Sequence, residues 1–188
     1  WSEKGKGDIP SGFVWSGESL HGDAVASGEL YQYVWYVKAK DNADGYVPGI
    51  ISIGIMIKES EGVLSFSLSS IQFGPDSSEF DNISEEQVKR NNELFDAVAE
   101  ILKSYADYNI TIEGHANNVS GTEREHLEEL LPLSQARAET VVRELVKRGI
   151  EAERLTPVGR GSEAMVTTKK EEWWKNRRVE FLMKKRGE

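Results

Sequence analysis

The strongest constraint on the fold is a change in the spacing of apolar residues between Lys58 and Val63. Before it, apolar and polar residues alternate, a period of two that is typical of a strand with one buried face. Two such runs, 31–38 and 51–57, flank an Asp-Gly pair at Asp44 and Gly45, which supplies the positive φ angles of a tight turn. The sequence therefore predicts an antiparallel hairpin in this part of the chain.

Beyond Val63 the pattern alternates between strands and helices. Ser84-Glu85-Glu86-Gln87 is a capping box, and apolar residues then repeat at three- and four-residue spacing, which indicates a helix with one buried face. Predicted helices begin at Ser84 and Ser134, and predicted strands cover 64–68, 109–113, 155–158 and 179–183. Helices that alternate with strands pack against a sheet, so the predicted fold class is α+β, an α/β sandwich with helices on one sheet.

Charge and composition exclude several classes of partner. The net charge of −9 argues against nucleic-acid binding and against adhesion to anionic lipid, because phosphate recognition requires a basic surface. No apolar run reaches the roughly 20 residues of a membrane helix, so no direct membrane insertion is expected. A chain that opens with Trp1 is expected to be a processed or trimmed piece, so missing targeting signals say nothing about location.

No catalytic or metal-binding motif stands out in the sequence. The three histidines, His21, His115 and His126, have no ligand-spaced partners such as His-x-x-x-His, so no metal site is predicted. Gly159-Arg160-Gly161 is too short for a phosphate loop, and neither a Gly-x-Ser-x-Gly elbow nor a cysteine nucleophile is present. We therefore expect a protein that is not an enzyme and has no cofactor.

One residue resists a purely structural explanation. With Ser134 as the N-cap, Arg137 falls in the first helical turn, where a cation opposes the helix dipole at a cost of roughly 0.3–1 kcal/mol. Arg137 either extends into solvent or grips a carboxylate together with the free amides of that turn. An arginine fork matches a carboxylate with two parallel hydrogen bonds, which a lysine does not.

Several short motifs follow one another in the second part of the chain. They are Ile112-Glu113-Gly114-His115, Leu133-Ser134-Gln135-Ala136-Arg137-Ala138, Gly149-Ile150, Arg154-Leu155, Gly159-Arg160-Gly161-Ser162-Glu163 and Asn176-Arg177-Arg178-Val179-Glu180. In this order they resemble the OmpA-like domain of Pal lipoproteins, MotB stators and OmpA C-termini. The resemblance implies a βαβαββ sandwich for residues 61–188 and non-covalent binding of peptidoglycan.

The family grips the diamino acid at the third position of the peptidoglycan stem peptide. The resemblance implies that Arg137 holds its carboxylate, and that the ligand-binding candidates are Arg137, Asn117, Ser134, Arg178, His115 and Ala116. The family's Gly-His-Thr-Asp motif carries an Asp that pairs with the ammonium group, whereas this chain has Ala116 and Asn117 there. Exchanging a charge-assisted hydrogen bond for a neutral one costs about 1–2 kcal/mol, or about five- to thirty-fold in affinity.

Two further departures from the family pattern lie nearby. Leu130 replaces the family Asn, and the loop from Ser120 to Pro132 is longer than usual and strongly acidic. This insert either supplies the missing carboxylate from another direction or forms a solvated acidic face. The combination resembles a spirochaete-type variant, whose walls can carry ornithine instead of diaminopimelate. Ornithine lacks the second carboxylate and would leave Arg137 without its usual ligand group, so ornithine alone does not explain the altered pocket.

Residues 1–60 are predicted to form a separate β unit. Trp15-Ser16-Gly17, the glycine-bounded turn at 22–28 and the strand after it loosely resemble the closing part of a FlgD-type Ig-like module. About half of such a sandwich is missing, so strands from an upstream segment are expected to complete it. A generic fragment of a β-sandwich is the alternative interpretation.

The expected function is non-covalent binding of the stem peptide, which would tether the wall to an outer-membrane or envelope component from the periplasmic side. The alternative is an envelope scaffold that keeps the fold, has lost the ligand and works through protein partners of the Ig-like module. Asn117 and Leu130 favour this alternative. An enzyme that cleaves the wall is a third hypothesis, but no paired-carboxylate or metal signature supports it.

Overall fold

The computed structural model describes residues 30–38, 44–52, 55, 57–69 and 71–187, which fall into two units divided between Gly54 and Ile55. In the first unit, strands β1 (Leu30–Lys38) and β2 (Asp44–Ser52) pair antiparallel, which confirms an antiparallel hairpin, but the second strand lies at 44–52 and not at the predicted 51–57. The position of the turn was wrong: Asp44 and Gly45 are already in β2, so the connection is longer than a two-residue turn. The motifs assigned to an Ig-like module at 15–17 and 22–28 lie outside the described residues.

The second unit is a mixed sheet of five strands with helices on one face. Its elements are β3 (Lys58–Ser60), β4 (Val63–Leu68), α1 (Glu85–Ser104), β5 (Tyr108–His115), α2 (Glu123–Glu125), α3 (Leu131–Lys147), β6 (Leu155–Gly161) and β7 (Val179–Lys185). The sheet order is β3-β4-β7-β5-β6, in which β5 and β6 are parallel and the other neighbours antiparallel. The predicted α+β class and the βαβαββ order are confirmed, with β3 added at one edge.

Alternation along the strands separates a helix-covered face from an open face. Ile112 on β5 and Phe181 on β7 are opposite each other and fully buried against the helices. The same core contains Phe95, Val98 and Leu102 from α1 and Ala138, Val141 and Leu145 from α3. Burial of each large apolar side chain contributes about 1.5–3 kcal/mol, so this layer supplies most of the driving force for folding. The alternate residues of β5 and β7 therefore lie on the other face.

Helix α1 begins as the sequence predicts. The backbone NH of Gln87 donates to Oγ of Ser84 at 3.2 Å, and the backbone NH of Ser84 donates to Oε1 of Gln87 at 2.7 Å. This reciprocal pair is a complete capping box and satisfies two amides at the helix start. Asn91 further along α1 then exchanges two hydrogen bonds with the backbone of Gln72, which attaches the segment after β4 to the helix.

The start of the second long helix differs from the prediction. Residues His126–Leu130 form a π-helical stretch directly after α2, and α3 continues from Leu131. Ser134 therefore lies inside the helix, where its hydroxyl donates to the carbonyl of Leu131 at 3.0 Å, and it does not cap it. Arg137 is consequently beyond the first turn, so the free amides of that turn are not available to the same ligand. The acidic insert extends the helix backwards and explains the error.

Candidate functional site

A cavity of about 340 Å³ opens where β4 and β5 end and β7 begins. Its lining includes three arginines and a histidine, together with two aromatic side chains: Arg137, Arg177, Arg178, His115, Phe73 and Trp174. Among the described residues, no aspartate or glutamate lines it. An excess of positive charge in a partly enclosed space favours an anionic ligand group.

Arg137 projects from α3 into this cavity and is held in a fixed orientation. Its Nε donates to the carbonyl of Ser77 at 3.0 Å, and its guanidinium carbon lies 5.0 Å from the centre of the Phe73 ring. The two terminal nitrogens form no hydrogen bond with the described residues. Burial lowers the pKa of Arg137, and Arg177 lowers it further, whereas Asp76 raises it. Arg137 is thus a desolvated cation with a free fork, which a carboxylate fits.

Arg178 is the more deeply buried of the two neighbouring arginines. Its Nε donates to Oε1 of Glu180 at 2.7 Å and its Nη2 to the carbonyl of Ala164 at 3.1 Å. The remaining Nη1 is buried without a hydrogen-bond partner among the described residues. Arg177, by contrast, is exposed at the rim of the cavity. The structure therefore places Arg137, Arg177 and Arg178 around the same cavity.

Asn117 lies outside the lining of the cavity. It is 6% exposed, and its Oδ1 accepts a hydrogen bond of 2.7 Å from Nδ2 of Asn176. Asn176 is fully buried and also accepts from the backbone amides of Val166 and Thr167, which fixes the loop before β7. The carbonyl expected to receive an ammonium group is therefore already engaged. The Nδ2 of Asn117 is buried with no partner among the described residues.

Ala116 and Ser134 lie outside the lining of the cavity and make structural contacts instead. The backbone NH of Ala116 donates to the carbonyl of Gly161 at 2.7 Å, and the hydroxyl of Ser134 accepts from the amide of Gly161 at 2.8 Å. Gly114 allows α3 to approach this closely, since a Cβ there would lie 2.2 Å from the carbonyl oxygen of Ser134. These contacts press α3 onto the ends of β5 and β6 and so set the position of Arg137.

His115 lines the cavity from β5 and is 4% exposed. Burial lowers its pKa, and Arg178 lowers it further, whereas Glu180 and Glu113 raise it. Neither ring nitrogen has a hydrogen-bond partner among the described residues. The imidazole is therefore neutral near pH 7, and a lone pair on one of its nitrogens is unused.

The acidic insert folds back on itself and onto the end of β6. The carboxylate of Glu125 accepts from the amides of Ser120 at 2.8 Å and Val119 at 3.3 Å, and the Ser120 contacts lower its pKa. The amide of Ser162 donates to Nδ1 of His126 at 3.1 Å, which fastens the insert to the turn after β6. None of the insert's carboxylates lines the cavity among the described residues.

Sequence reasoning missed the aromatic walls of the cavity. Phe73 precedes the motifs that resemble the family and Trp174 lies between the last two of them, and neither belongs to a periodic pattern that marks a ligand site. Phe73 stacks on Phe80, with ring centres 5.3 Å apart, and the Arg137 guanidinium lies over the Phe73 ring. The one available signal was a phenylalanine placed directly after the predicted strand.

The domain thus has helices on one face of a mixed sheet and a cationic cavity at the strand ends. The chain belongs to the OmpA family, whose sequence profile matches residues 72–178. This confirms the predicted family resemblance, while the spirochaete-type variant and the Ig-like module stay predictions. No curated protein matches the chain in sequence.

Solved structures with the same fold come from several envelope proteins. A putative MotB-like protein from Desulfovibrio vulgaris is 25% identical, with a TM-score of 0.57 over 71% of this chain and 80% of that one. The periplasmic domain of Helicobacter pylori MotB is 18% identical, with a TM-score of 0.57 and coverages of 71% and 81%. The cell wall anchor of the T6SS from Pseudomonas aeruginosa is 22% identical, with a TM-score of 0.55 and coverages of 70% and 87%. The last two show similarity of fold alone.

Within the described residues, no helix has the length and apolar character needed to span a membrane.

Proposed function

We propose that the OmpA-like domain binds the stem peptide of peptidoglycan without a covalent bond, through the cavity around Arg137. The observation that carries the proposal is the free guanidinium fork of Arg137, which is oriented by Ser77 and Phe73 inside a cavity of about 340 Å³. A bidentate contact between this fork and a carboxylate restores the solvation that burial removed. A charge-assisted hydrogen bond of this kind contributes roughly 1.5–3 kcal/mol.

The relatives indicate where such binding would act. One structural neighbour is the periplasmic domain of a MotB protein, and another is described as a cell wall anchor. We infer that this chain acts in the same compartment, on the periplasmic side of the envelope and in association with the outer membrane. Its role there would be to hold the wall to an envelope component, with the unit before Ile55 as a separate Ig-like module, since β3 belongs to the OmpA-like sheet.

The charge of the cavity determines which diamino acid it would accept. Arg137, Arg177 and Arg178 line it, and no described carboxylate is available for an ammonium group. A stem peptide with diaminopimelate offers the second carboxylate that Arg137 requires, whereas ornithine offers only an ammonium group there. We therefore expect diaminopimelate to bind more tightly than ornithine. Because the family Asp is absent, we expect the affinity for diaminopimelate to be about five- to thirty-fold lower than in a relative that has it.

Calorimetric titration with two soluble muropeptides tests the proposal, one with diaminopimelate and the other with ornithine. Arg137→Ala should abolish the heat of diaminopimelate binding, because it removes the fork. Arg90→Ala is the matched control, since Arg90 is an exposed arginine on α1 that pairs with Glu86. Equal affinity of Arg137→Ala and the native chain would refute the assigned site. Release of soluble muropeptides from purified sacculi would instead revive the enzyme hypothesis.

A scaffold without a ligand is the second candidate, and one observation favours it. Oδ1 of Asn117 is bound to Asn176 and is not free for an ammonium group. In that case the native chain would give no heat with either muropeptide, whereas Asn117→Asp would restore binding of diaminopimelate. An aspartate keeps one oxygen for Asn176 and gains a second, charged one. Protein partners of the unit before Ile55 would then carry the envelope function.

A further inference from the structure

Three potential metal-ligating side chains meet on two adjacent strands near the cavity. Glu113 and His115 belong to β5, and Glu180 belongs to β7, directly opposite Glu113. Nε2 of His115 lies 3.8 Å from Oε2 of Glu113 and 3.7 Å from Oε2 of Glu180. One ligand atom from each of the three residues lies within 4.8 Å of the others.

Each carboxylate is oriented by an arginine through its other oxygen. Oε1 of Glu113 accepts from Nε of Arg160 at 3.0 Å and from Nη2 at 2.5 Å. Oε1 of Glu180 accepts from Nε of Arg178 at 2.7 Å. Both Oε2 atoms are thereby left facing the imidazole. Arginines that hold the outer oxygen of a carboxylate fix its orientation, as outer-shell groups do around protein-bound metals.

The imidazole of His115 is the independent sign that something is missing between these groups. It is 4% exposed and has no hydrogen-bond partner for either nitrogen among the described residues. The distances of 3.7 and 3.8 Å to the carboxylates are too long for hydrogen bonds. A buried polar group left without a partner is rare in folded proteins, since its desolvation is uncompensated. A ligand placed between the three side chains removes this deficit.

We propose that Glu113, His115 and Glu180 bind a Zn²⁺ ion through Nε2 of the histidine and one oxygen of each carboxylate. Zinc bonds of about 2.0–2.2 Å place neighbouring ligand atoms of a tetrahedral site about 3.3–3.6 Å apart. Nε2 of His115 is already within a few tenths of an ångström of this spacing from each carboxylate, whereas the three ligand atoms lie within 4.8 Å of one another, so the two carboxylates must move together by up to about 1 Å. A neutral imidazole with two carboxylates favours zinc over magnesium or calcium, which prefer oxygen ligands alone. The fourth position is left for water, because His115 also lines the cavity.

No sequence motif marks this site, because its ligands come from two strands. A search for His-x-x-x-His spacing detects pairs on one helix, whereas Glu113 and His115 are two apart on a strand and share one face of the sheet. Glu180 joins them only through the pairing of β5 with β7. The positive charges of Arg160 and Arg178 oppose the ion, so its affinity is expected to be below that of a closed structural zinc site.

Metal titration of untagged, chelator-treated protein tests this inference without any muropeptide. Co²⁺ absorption and native mass spectrometry should show one ion per chain, displaced by Zn²⁺, in the native protein. Glu180→Gln and His115→Ala should both lose this ion, and zinc should no longer raise their thermal midpoints. Glu180 is partly exposed, so its variant is expected to fold even where His115→Ala does not.

His126→Ala is the matched control, because His126 also lies near a single carboxylate, that of Glu163 at 3.9 Å. It should keep the ion and the thermal shift. Unchanged stoichiometry in Glu180→Gln would overturn the inference, as would the absence of stoichiometric metal in the native protein. Loss of the ion in His126→Ala would place the site elsewhere and equally overturn it. The outcome does not depend on peptidoglycan binding, so the two proposals fail separately.

Discussion

Replacement of Asn176 should release the loop that carries Trp174 and Arg177 to the cavity. Asn176 is fully buried and makes four hydrogen bonds, two as acceptor from Val166 and Thr167 and two as donor to Asn117 and Thr167. Hydrogen bonds contribute about 0.5–1.5 kcal/mol each, and some of the freed groups will find water. We therefore expect Asn176→Ala to lower the free energy of unfolding by about 3 kcal/mol.

Asn176→Asp separates the two halves of this network. The aspartate keeps the bonds from the amides of Val166 and Thr167 and loses both donor bonds. Asn117 compensates for part of this loss by rotating its side-chain amide, because its Nδ2 is buried and unpartnered and then donates to the new carboxylate. The aspartate variant should therefore be more stable than the alanine variant.

Urea unfolding, monitored by tryptophan fluorescence, measures the loss of stability in both variants. The midpoints are compared with the same dependence of the unfolding free energy on urea concentration. A loss below about 1 kcal/mol in Asn176→Ala would refute the reasoning, because water would then replace the whole network without cost. An aspartate variant less stable than the alanine variant would show that Asn117 does not rotate. Ser104→Ala is a suitable control, since its exposed hydroxyl makes one helical hydrogen bond.

Three further predictions follow from contacts near the site. Gly114→Ala should lower the free energy of unfolding by about 1–3 kcal/mol and weaken muropeptide binding, because its Cβ displaces α3 at Ser134. Urea unfolding measures the first effect, and calorimetric titration of the folded variant measures the second. Arg154→Met should cost about 3 kcal/mol in thermal unfolding, since the guanidinium binds the backbone carbonyls of Leu102, Tyr105 and Tyr108, from the end of α1 to the start of β5; an unchanged midpoint would contradict it. The pKa of Glu125 is lowered, so its charged form stabilises the insert. This stabilisation is complete above the ordinary carboxyl pKa and is lost as the pH falls through the lowered value. The protection factor of the Ser120 amide, which corrects hydrogen exchange for its slower intrinsic rate in acid, should therefore fall as the pH drops.

Local signals in the sequence predicted the elements well where capping and periodicity agreed. The capping box at Ser84 and the apolar face of α1 depend on neighbours within one helix, and both are confirmed. Ser134 misled because its hydroxyl satisfies a local bond inside a longer helix, whose start depends on the insert before it. A cap and an internal serine are alike in sequence until the preceding backbone is known.

The candidate site required information that no local pattern contains. Arg137 was predicted from its motif, but its bond to Ser77 and its contact with Phe73 join segments far apart in the chain. The engagement of Asn117 by Asn176 depends in the same way on the loop before β7. Such contacts follow from the order of strands in the sheet, which hydrophobic periodicity does not determine.

The central place of β7 in the sheet has a consequence for how the domain forms. It is the last of the described strands, yet it lies between β4 and β5, with Leu68 paired to Val179. Pairing of β7 with β4 and β5 closes long loops of the chain, and this loop closure costs entropy before the pairing stabilises the sheet. Folding is therefore expected to be slow and to wait for β7. At the proposed periplasmic location, this delay would keep the sheet from assembling until β7 has crossed the membrane.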